Sequence, residues 1–329
     1  MTDVMELICP AGTPAALRCA VDAGADAVYL GFRDATNARN FPGLNFSPAE
    51  LKEGLAYAHE RGAKVFVAVN TFPEAGNPGP WRRAVDTAAT LGADAVIVAD
   101  ISVIEYVAKN YPDLRRHLSV QASASTVEAI QFYHREFGIK RVILPRVLTI
   151  AELAALNDRV EVETEVFIFG AMGVMAEGRC SMSSYVTGLT PNLCGVCSPA
   201  SHVQFEEYGG KLIARLGRFT INAQPRGEAA GYPTLCRGRF RANGRESYLF
   251  EEPTSLNAVE LLPALKKAGV RALKIEGRQR GRAYVSAVVG AFRRIVDAVA
   301  RNEPIPAIDF TGLAEGHHQT LGGYHKTWH

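Results

Sequence analysis

Residues 24–31 read GADAVYLG and residues 92–100 read GADAVIVAD, and this repeated joint between a helix and a strand decides the fold. In each copy, a glycine able to adopt the left-handed conformation that closes a helix is followed by an apolar run typical of a buried strand. Three further copies begin at Gly62, Gly138 and Gly269. The chain therefore repeats one helix-to-strand unit along its length.

Helix starts and further apolar runs complete the pattern. Ser47 with Glu50, and Thr149 with Glu152, have the spacing of a capping box at the start of a helix. This alternation of helices and strands predicts an α/β fold, a TIM-like (β/α)8 barrel, with a doubly wound open sheet as the alternative. The eight predicted strands lie at residues 5–9, 27–31, 64–69, 95–99, 118–122, 141–145, 161–169 and 271–276.

The connection between the predicted seventh and eighth strands is about a hundred residues long, far longer than an ordinary connection. We therefore predict a cysteine-rich inserted subdomain over residues 171–267, a barrel built from residues 1–170 and 268–300, and a C-terminal tail over residues 301–329. A segment that follows a barrel strand emerges at the carboxyl-terminal rim, where barrel enzymes place their active sites. The insertion is thus expected at the mouth of the barrel.

The composition is that of a globular protein, with 329 residues, 47% of them hydrophobic, and a net charge of +2. This balanced charge gives no electrostatic indication of nucleic-acid binding. The N-terminus lacks a basic region before an apolar run, and Asp100 and Glu105 interrupt the apolar stretch AVIVADISVIEYVA. We therefore expect no signal peptide, no membrane span and a cytoplasmic location, where thiols stay reduced.

The predicted insertion contains a cluster of cysteines, namely Cys180, Cys194, Cys197 and Cys236. Cys194 and Cys197 have the C-x-x-C spacing, which lets two sulfurs on one turn reach the same metal. In a reducing compartment this clustering favours metal or redox chemistry over structural disulfides. Zinc and an iron–sulfur cluster both accept four thiolates, and burial as small apolar residues is the alternative.

Polar residues at the strand ends form a candidate substrate site, because these ends meet at the mouth of a barrel. Arginines suit an anionic ligand, whereas acids can transfer protons or orient the arginines. The alternative is that the amides shape turns and the acids close ion pairs. The candidates are Asn37, Arg39, Asn45, Asn70, Gln121, Arg146 and Arg278 for substrate binding, and Asp100 and Glu276 for catalysis.

Several long motifs identify relatives of this chain. They include LICPAG, TNARNFPGLNF, QASAS, VILPRVL, GRCSMSSYVTG, GEAAGYPTLCRGRF, EEPTSLN and LKIEGRQRGRAYV. Together they resemble the family of collagenase-like, or unassigned, peptidases over essentially the whole chain. Within that family they are most similar to the branch of ubiquinone biosynthesis in which UbiU and UbiV are partners.

The resemblance implies a barrel-like fold, a 4Fe-4S cluster, and anaerobic, oxygen-independent hydroxylation in which prephenate supplies the oxygen atom. It also implies a heterodimer with a UbiV-like subunit, and a ubiquinone precursor as the ring substrate. The apolar tail of such a precursor requires either an apolar slot or a lipid-binding protein that delivers it. No nucleic-acid partner is expected for this branch.

The cluster ligands of the family carry over only in part. Three of its four cysteines match Cys180, Cys197 and Cys236, but Gly173 stands where the family has the fourth. Cys194 is an additional cysteine, and we expect it to serve as the fourth ligand. The alternatives are a cluster held by three thiolates, with one iron open to another ligand, and a weakened or absent cluster.

Three other functions stay open. Members of the same family hydroxylate bases in RNA, and the basic stretch CRGRFRANGR suits such a substrate. A zinc site would instead make the insertion a noncatalytic docking module. Peptidase activity is not expected, because the sequence has neither a G-x-S-x-G nucleophile motif nor the paired histidines of a zincin helix.

Overall fold

The computed structural model describes residues 5–172, 180–191, 196–228 and 231–325. In the first part of the chain, seven strands follow one another in parallel, and each strand pairs with the next. They are β1 (Glu6–Pro10), β2 (Ala27–Gly31), β3 (Lys64–Val69), β4 (Ala95–Val98), β5 (Arg115–Leu118), β6 (Arg141–Ile143) and β7 (Glu163–Ala171).

Six helices alternate with these strands. Both predicted capping boxes are confirmed, since the Ser47 and Thr149 side chains accept from the backbone N–H groups of Glu50 and Glu152. The helices are α1 (Pro14–Asp22), α2 (Pro48–His59), α3 (Gly79–Leu91), α4 (Ile101–Asn110), α5 (Val127–Phe137) and α6 (Ile150–Asn157). Gly92, with φ 86°, closes α3 in the left-handed conformation that the sequence pattern predicts.

After β7 the chain leaves the barrel. The small apolar core of this segment is built around Leu216, Ile221 and Leu235 and is separate from the core of the barrel. Its elements are α7 (Ser181–Thr187), β8 (Val203–Tyr208), β9 (Lys211–Leu216), β10 (Phe219–Pro225), β11 (Arg239–Ala242) and β12 (Arg245–Tyr248). The strands β8, β9 and β10 form an antiparallel sheet, and β11 and β12 form a hairpin.

The chain then returns and closes the barrel. The strand β13 (Ser255–Asn257) pairs antiparallel with the end of β7, and α8 (Leu262–Lys267) leads into β14 (Ala272–Ile275). Because β14 pairs in parallel with both β7 and β1, eight parallel strands form a closed barrel. The predicted TIM-like fold is confirmed, and the open-sheet alternative is wrong. Leu262 and Leu265 are buried in the barrel core, so α8 packs with the barrel.

The C-terminal part of the chain packs back onto the barrel. After α9 (Arg282–Ala300), Phe310 packs against Phe169, with ring centroids 5.2 Å apart, and the Tyr324 hydroxyl donates to the Phe167 carbonyl oxygen. The short strand β15 (Gln319–Thr320) extends the sheet beyond β13. Within the described ranges, no helix is both long enough and apolar enough to cross a membrane.

The fifth strand is displaced from its predicted position. The prediction placed it at 118–122, whereas β5 ends at Leu118 and residues Val120–Ala122 form a short 3-10 helix. An apolar run is a poor criterion here because β5 carries polar side chains. Arg115 donates to Nε2 of His117 (2.9 Å), and the His117 side chain is fully buried.

Candidate functional site at the barrel mouth

Glu276, directly after β14, holds two arginines together at the mouth of the barrel. Its Oε1 accepts from Nη2 of Arg39 (2.9 Å) and its Oε2 from Nη2 of Arg146 (2.5 Å). The arginines come from the loops after β2 and β6, so closure of the barrel brings the three together. Burial raises the pKa of Glu276, but the charges of Arg146 and Arg39 outweigh burial and lower the pKa to about 2. The carboxylate is therefore ionised at neutral pH.

Arg278, two residues further on, is a buried cation with a different environment. Its Nη1 donates to Oδ1 of Asn37 (3.1 Å), and its guanidinium lies 5.6 Å from the centroid of the Tyr29 ring. Among the described residues, no carboxylate forms an ion pair with it. Burial, which is the largest influence, lowers the pKa of Arg278 to about 10. This guanidinium is thus charged, largely desolvated and hydrogen-bonded to a neutral amide.

The predicted amides Asn37 and Asn45 shape the loop that carries Arg39. Oδ1 of Asn37 also accepts from the Arg39 backbone N–H (3.0 Å), and Nδ2 of Asn45 donates to the Arg39 carbonyl oxygen (2.8 Å). Asn45 adopts a left-handed conformation with φ 72°, which an asparagine tolerates. A β-carbon at Gly12 would lie 1.8 Å from the Arg278 carbonyl oxygen, so glycine is required there. These residues therefore position the arginines.

Asn70 braces the same loop, and Gln121 is linked to Asn70 through Ser119. Oδ1 of Asn70 accepts from the Ala38 backbone N–H (3.0 Å), and its Nδ2 donates to Oγ of Ser119 (2.9 Å). The Gln121 backbone N–H donates to the same hydroxyl (3.3 Å). Both predicted residues are buried, and their direct contact with a substrate stays a prediction.

Asp100, the second predicted catalytic acid, lies at the N-terminus of α4. Its Oδ1 accepts from the backbone N–H groups of Ser102 (2.9 Å) and Val103 (3.2 Å), which makes it the helix cap. A capping carboxylate satisfies backbone donors that otherwise lack partners. The geometry thus gives Asp100 a structural role, and its catalytic role stays a prediction.

Three of the four predicted cysteine ligands lie within the described residues. Cys180 caps α7, where its Sγ accepts from the Ser183 backbone N–H (3.5 Å) and hydroxyl (3.2 Å). Cys197 borders solvent, yet the atoms packed around its sulfur raise the pKa of the thiol. Arg39 opposes that shift, whereas Cys236 and Cys180 add to it, so Cys197 lies within range of the charges of all three. Cys197 therefore links the cysteines of this segment to Arg39 at the mouth.

The fourth ligand lies outside the described residues, as do both positions that decide it, Cys194 and Gly173. Within residues 5–172, 180–191, 196–228 and 231–325, no three His, Cys, Asp or Glu side chains are close enough to hold a single metal ion. The described cysteines supply thiols, the donor type that suits the softer metals and iron–sulfur clusters. The residues present thus fit a cluster in the chemistry of their donor atoms.

Two residues that the sequence did not indicate connect the cysteines to the mouth. Arg237 follows Cys236 and is buried in an ion pair with Glu315 from the C-terminal tail. The charge of Arg237 also helps to lower the pKa of Glu276. The CRGRF motif contains Arg237, but no local pattern marks Glu315, because the pair spans 78 residues of sequence.

Comparison with known proteins identifies the family. A family model described as Peptidase family U32 matches residues 12–322. The chain belongs to peptidase family U32. A solved structure of a U32 peptidase aligns with 83% of this U32 chain and 93% of its own chain, at 16% identity and a TM-score of 0.48.

Three curated relatives of this U32 chain carry names that refer to hydroxylation of RNA. The tRNA hydroxylation protein P1 of Bacillus subtilis is 30% identical over 91% of this chain and 64% of its own length. The tRNA hydroxylation protein P of Escherichia coli is 31% identical over 91% and 69%. The 23S rRNA 5-hydroxycytidine C2501 synthase of Escherichia coli is 29% identical over 99% and 44%. The chain thus spans about two thirds or less of these relatives.

Proposed function

We propose that this U32 protein is the iron–sulfur subunit of an oxygen-independent hydroxylase that takes its oxygen atom from prephenate. The observation that carries the proposal is the mouth itself, where Arg39 and Arg146 already bind a carboxylate and Arg278 is a buried cation beside them. Cys197 of the insertion lies within range of the charge of Arg39. A carboxylate-binding mouth beside a cluster site is the arrangement that such an enzyme requires.

The arginines supply the recognition of the oxygen donor. Prephenate carries two carboxylates, and the planar guanidinium group binds a carboxylate through paired hydrogen bonds. Burial of Arg278 and Arg146 strengthens each contact, because few water molecules compete with the ligand there. The rim amides Asn37 and Asn45 hold the loop that carries Arg39 in the binding geometry.

The cysteines would hold the cluster. We propose a 4Fe-4S cluster with Cys180, Cys194, Cys197 and Cys236 as ligands, in agreement with the family resemblance at three of the four positions. Such a cluster, when bound, accepts and donates single electrons. Arg39 contacts Glu276 and acts on Cys197, so the bound donor would lie beside the cluster.

For the ring substrate we propose a ubiquinone precursor, bound together with a UbiV-like subunit. The motifs that carry the resemblance to this branch support the choice. The insertion also exposes large apolar side chains, which are the candidate contacts for that subunit. Among them are Tyr185 (76% exposed), Phe205 (51%), Tyr208 (78%) and Phe250 (49%).

Hydroxylation of an RNA base is the second candidate, because the names of the three relatives refer to it. The hairpin of β11 and β12 offers a basic surface in which Arg241 and Arg245 are exposed. Arg239 lies over the ring of Tyr248, 5.1 Å from its centroid. Stacking of bases on such arginine and aromatic groups is a common mode of single-stranded RNA binding.

The test is an anaerobic reaction with prephenate whose ring hydroxyl carries heavy oxygen. We expect the label in the hydroxylated ubiquinone precursor when the protein is supplied with a UbiV-like subunit, and none in nucleosides digested from transfer or ribosomal RNA. Label in a nucleoside alone would establish the RNA function instead. Label in neither product, with both subunits loaded with iron, would contradict the use of prephenate.

A further inference from the structure

Glu276 occupies the position that a ligand carboxylate would take between two of the arginines. Each of its oxygens meets one guanidinium, Arg39 on one side and Arg146 on the other. The side chain is one-fifth exposed, so it lies at the opening and not in the core. The chain thus supplies its own carboxylate to this pair of arginines, and a ligand must compete with it.

Arg278, two residues along the chain from Glu276, is the contrasting case. Its described hydrogen bond is to the neutral amide of Asn37, and none of the described carboxylates pairs with it. Burying a cation without an anion is unfavourable, and that cost is relieved when an anion binds. The site is therefore formed in advance, with the guanidinium fixed between Asn37 and the ring of Tyr29.

We infer that the mouth discriminates dicarboxylates from monocarboxylates by two unlike subsites, a preformed one at Arg278 and a gated one at Arg39 and Arg146 that opens when the ligand displaces Glu276. The choice of ligand rests on the proposed function, but the two subsites rest on the geometry alone. A monocarboxylate fills the Arg278 subsite and leaves Glu276 in place. A compact dicarboxylate fills both subsites.

Displacement of Glu276 changes how readily its carboxyl group binds a proton. The charges of Arg146 and Arg39 oppose the effect of burial on the pKa of this carboxyl group. When a ligand takes over those arginines, burial remains and the pKa of Glu276 rises. The displaced carboxyl therefore binds a proton more readily, so a dicarboxylate binds more tightly as the pH falls through the raised pKa.

Gly170 leaves room for the side chain of Glu276. A β-carbon at Gly170 would lie 2.6 Å from Cβ of Glu276, and the residue has φ 128°, which strongly favours glycine. The glycine at the end of β7 is thus needed for Glu276 to reach the arginines.

The test is calorimetric titration of the purified full-length protein with prephenate and with phenylpyruvate, which has a single carboxylate. We expect Glu276→Gln to raise the ratio of the prephenate affinity to the phenylpyruvate affinity about fivefold, which is about 1 kcal/mol. The pH dependence of prephenate binding should weaken in this variant, because the amide cannot take up the proton that the displaced carboxyl binds. An unchanged ratio together with an unchanged pH dependence would overturn the gated subsite.

Two variants test the preformed subsite. Arg278→Gln should weaken both ligands about tenfold or more. Asn37→Asp keeps Arg278 but gives it a carboxylate partner, so this variant should also weaken the binding of both ligands. Arg280→Gln is the matched control, because Arg280 is exposed on the same loop, and its affinities should stay within about twofold. Normal binding by both Arg278→Gln and Asn37→Asp would overturn this subsite, whether or not the protein hydroxylates anything.

Discussion

The two ends of the barrel use arginine in opposite ways. At the end where the strands begin, Arg141 is buried and pairs with Glu6 (2.5 Å), Glu163 (2.6 Å) and Glu165 (3.4 Å). At the mouth, Arg278 is as deeply buried but has a neutral amide as its described partner. At the end where the strands begin, the buried arginine is paired with carboxylates of the chain. At the mouth, the buried arginine has no described carboxylate partner and can bind an anionic ligand.

This difference gives Arg141 a role in stability and Arg278 a role in ligand binding. Burial lowers the pKa of Arg141, but the charges of Glu165 and Glu6 outweigh it and raise the pKa, so the pairs hold this guanidinium in its charged form. Barrels generally place stabilising residues at the end where strands begin and catalytic residues at the end where they finish. We therefore expect the largest losses of stability from substitutions at the first end, and the largest changes in ligand binding from substitutions at the mouth.

The largest expected effect on stability comes from Glu165→Gln. Glu165 has no exposed surface and pairs with both Arg141 and Lys274, so its loss leaves two buried cations short of a carboxylate. We expect the free energy of unfolding in urea to fall by about 3–5 kcal/mol. Glu163→Gln is the control, because Glu163 is more exposed, and it should cost less than about 2 kcal/mol. Equal losses for the two variants would show that burial of the pair is unimportant.

A smaller, pH-dependent effect is expected at Glu276. A carboxyl group whose pKa is lowered on folding stabilises the fold above its unfolded pKa, and that contribution is lost as the pH falls through the folded pKa. For Glu276 the pKa falls from 4.5 to about 2, which corresponds to about 3 kcal/mol. The stability difference between the wild type and Glu276→Gln should therefore shrink as the pH falls from about 5 to about 3. A difference that is constant over this range would contradict the ion pairs.

The smallest effect on stability is expected for Arg278→Gln. Removal of a buried cation without a described carboxylate partner also removes the cost of burying its charge, so the free energy of unfolding should change by less than about 1 kcal/mol. The measurement is the same urea titration, read beside the binding data for this variant. A loss as large as that of Glu165→Gln would make Arg278 a structural residue and would remove the contrast between the two ends.

The fold was predictable because its signals are local. Glycines such as Gly92 close the helices, and the apolar runs that follow them form the strands. The predicted position of β5 is wrong because its polar side chains are buried or half-buried, so this strand has no apolar run to mark it. Short strands such as β13 and β15 were missed, since two or three residues are too few to show a period.

The candidate site was predictable in its members but not in their roles. Position at a strand end was enough to indicate Arg39, Arg146 and Glu276, because barrel closure brings all strand ends together. Whether an amide such as Asn70 contacts a ligand or braces a loop depends on the path of that loop, which has no sequence signature. The partnership of Arg237 with Glu315 joins two distant segments and was invisible for the same reason.

The most direct test of the central claim is the iron, sulfide and zinc content of the anaerobically purified protein, together with its visible spectrum. We expect a brown protein with about four irons and matching sulfide. Cys197→Ser and Cys194→Ser should lose the cluster, while Cys19→Ser, whose thiol lies on α1 outside the insertion, should keep it. Stoichiometric zinc without sulfide would contradict the hydroxylase proposal and leave the insertion as a docking module.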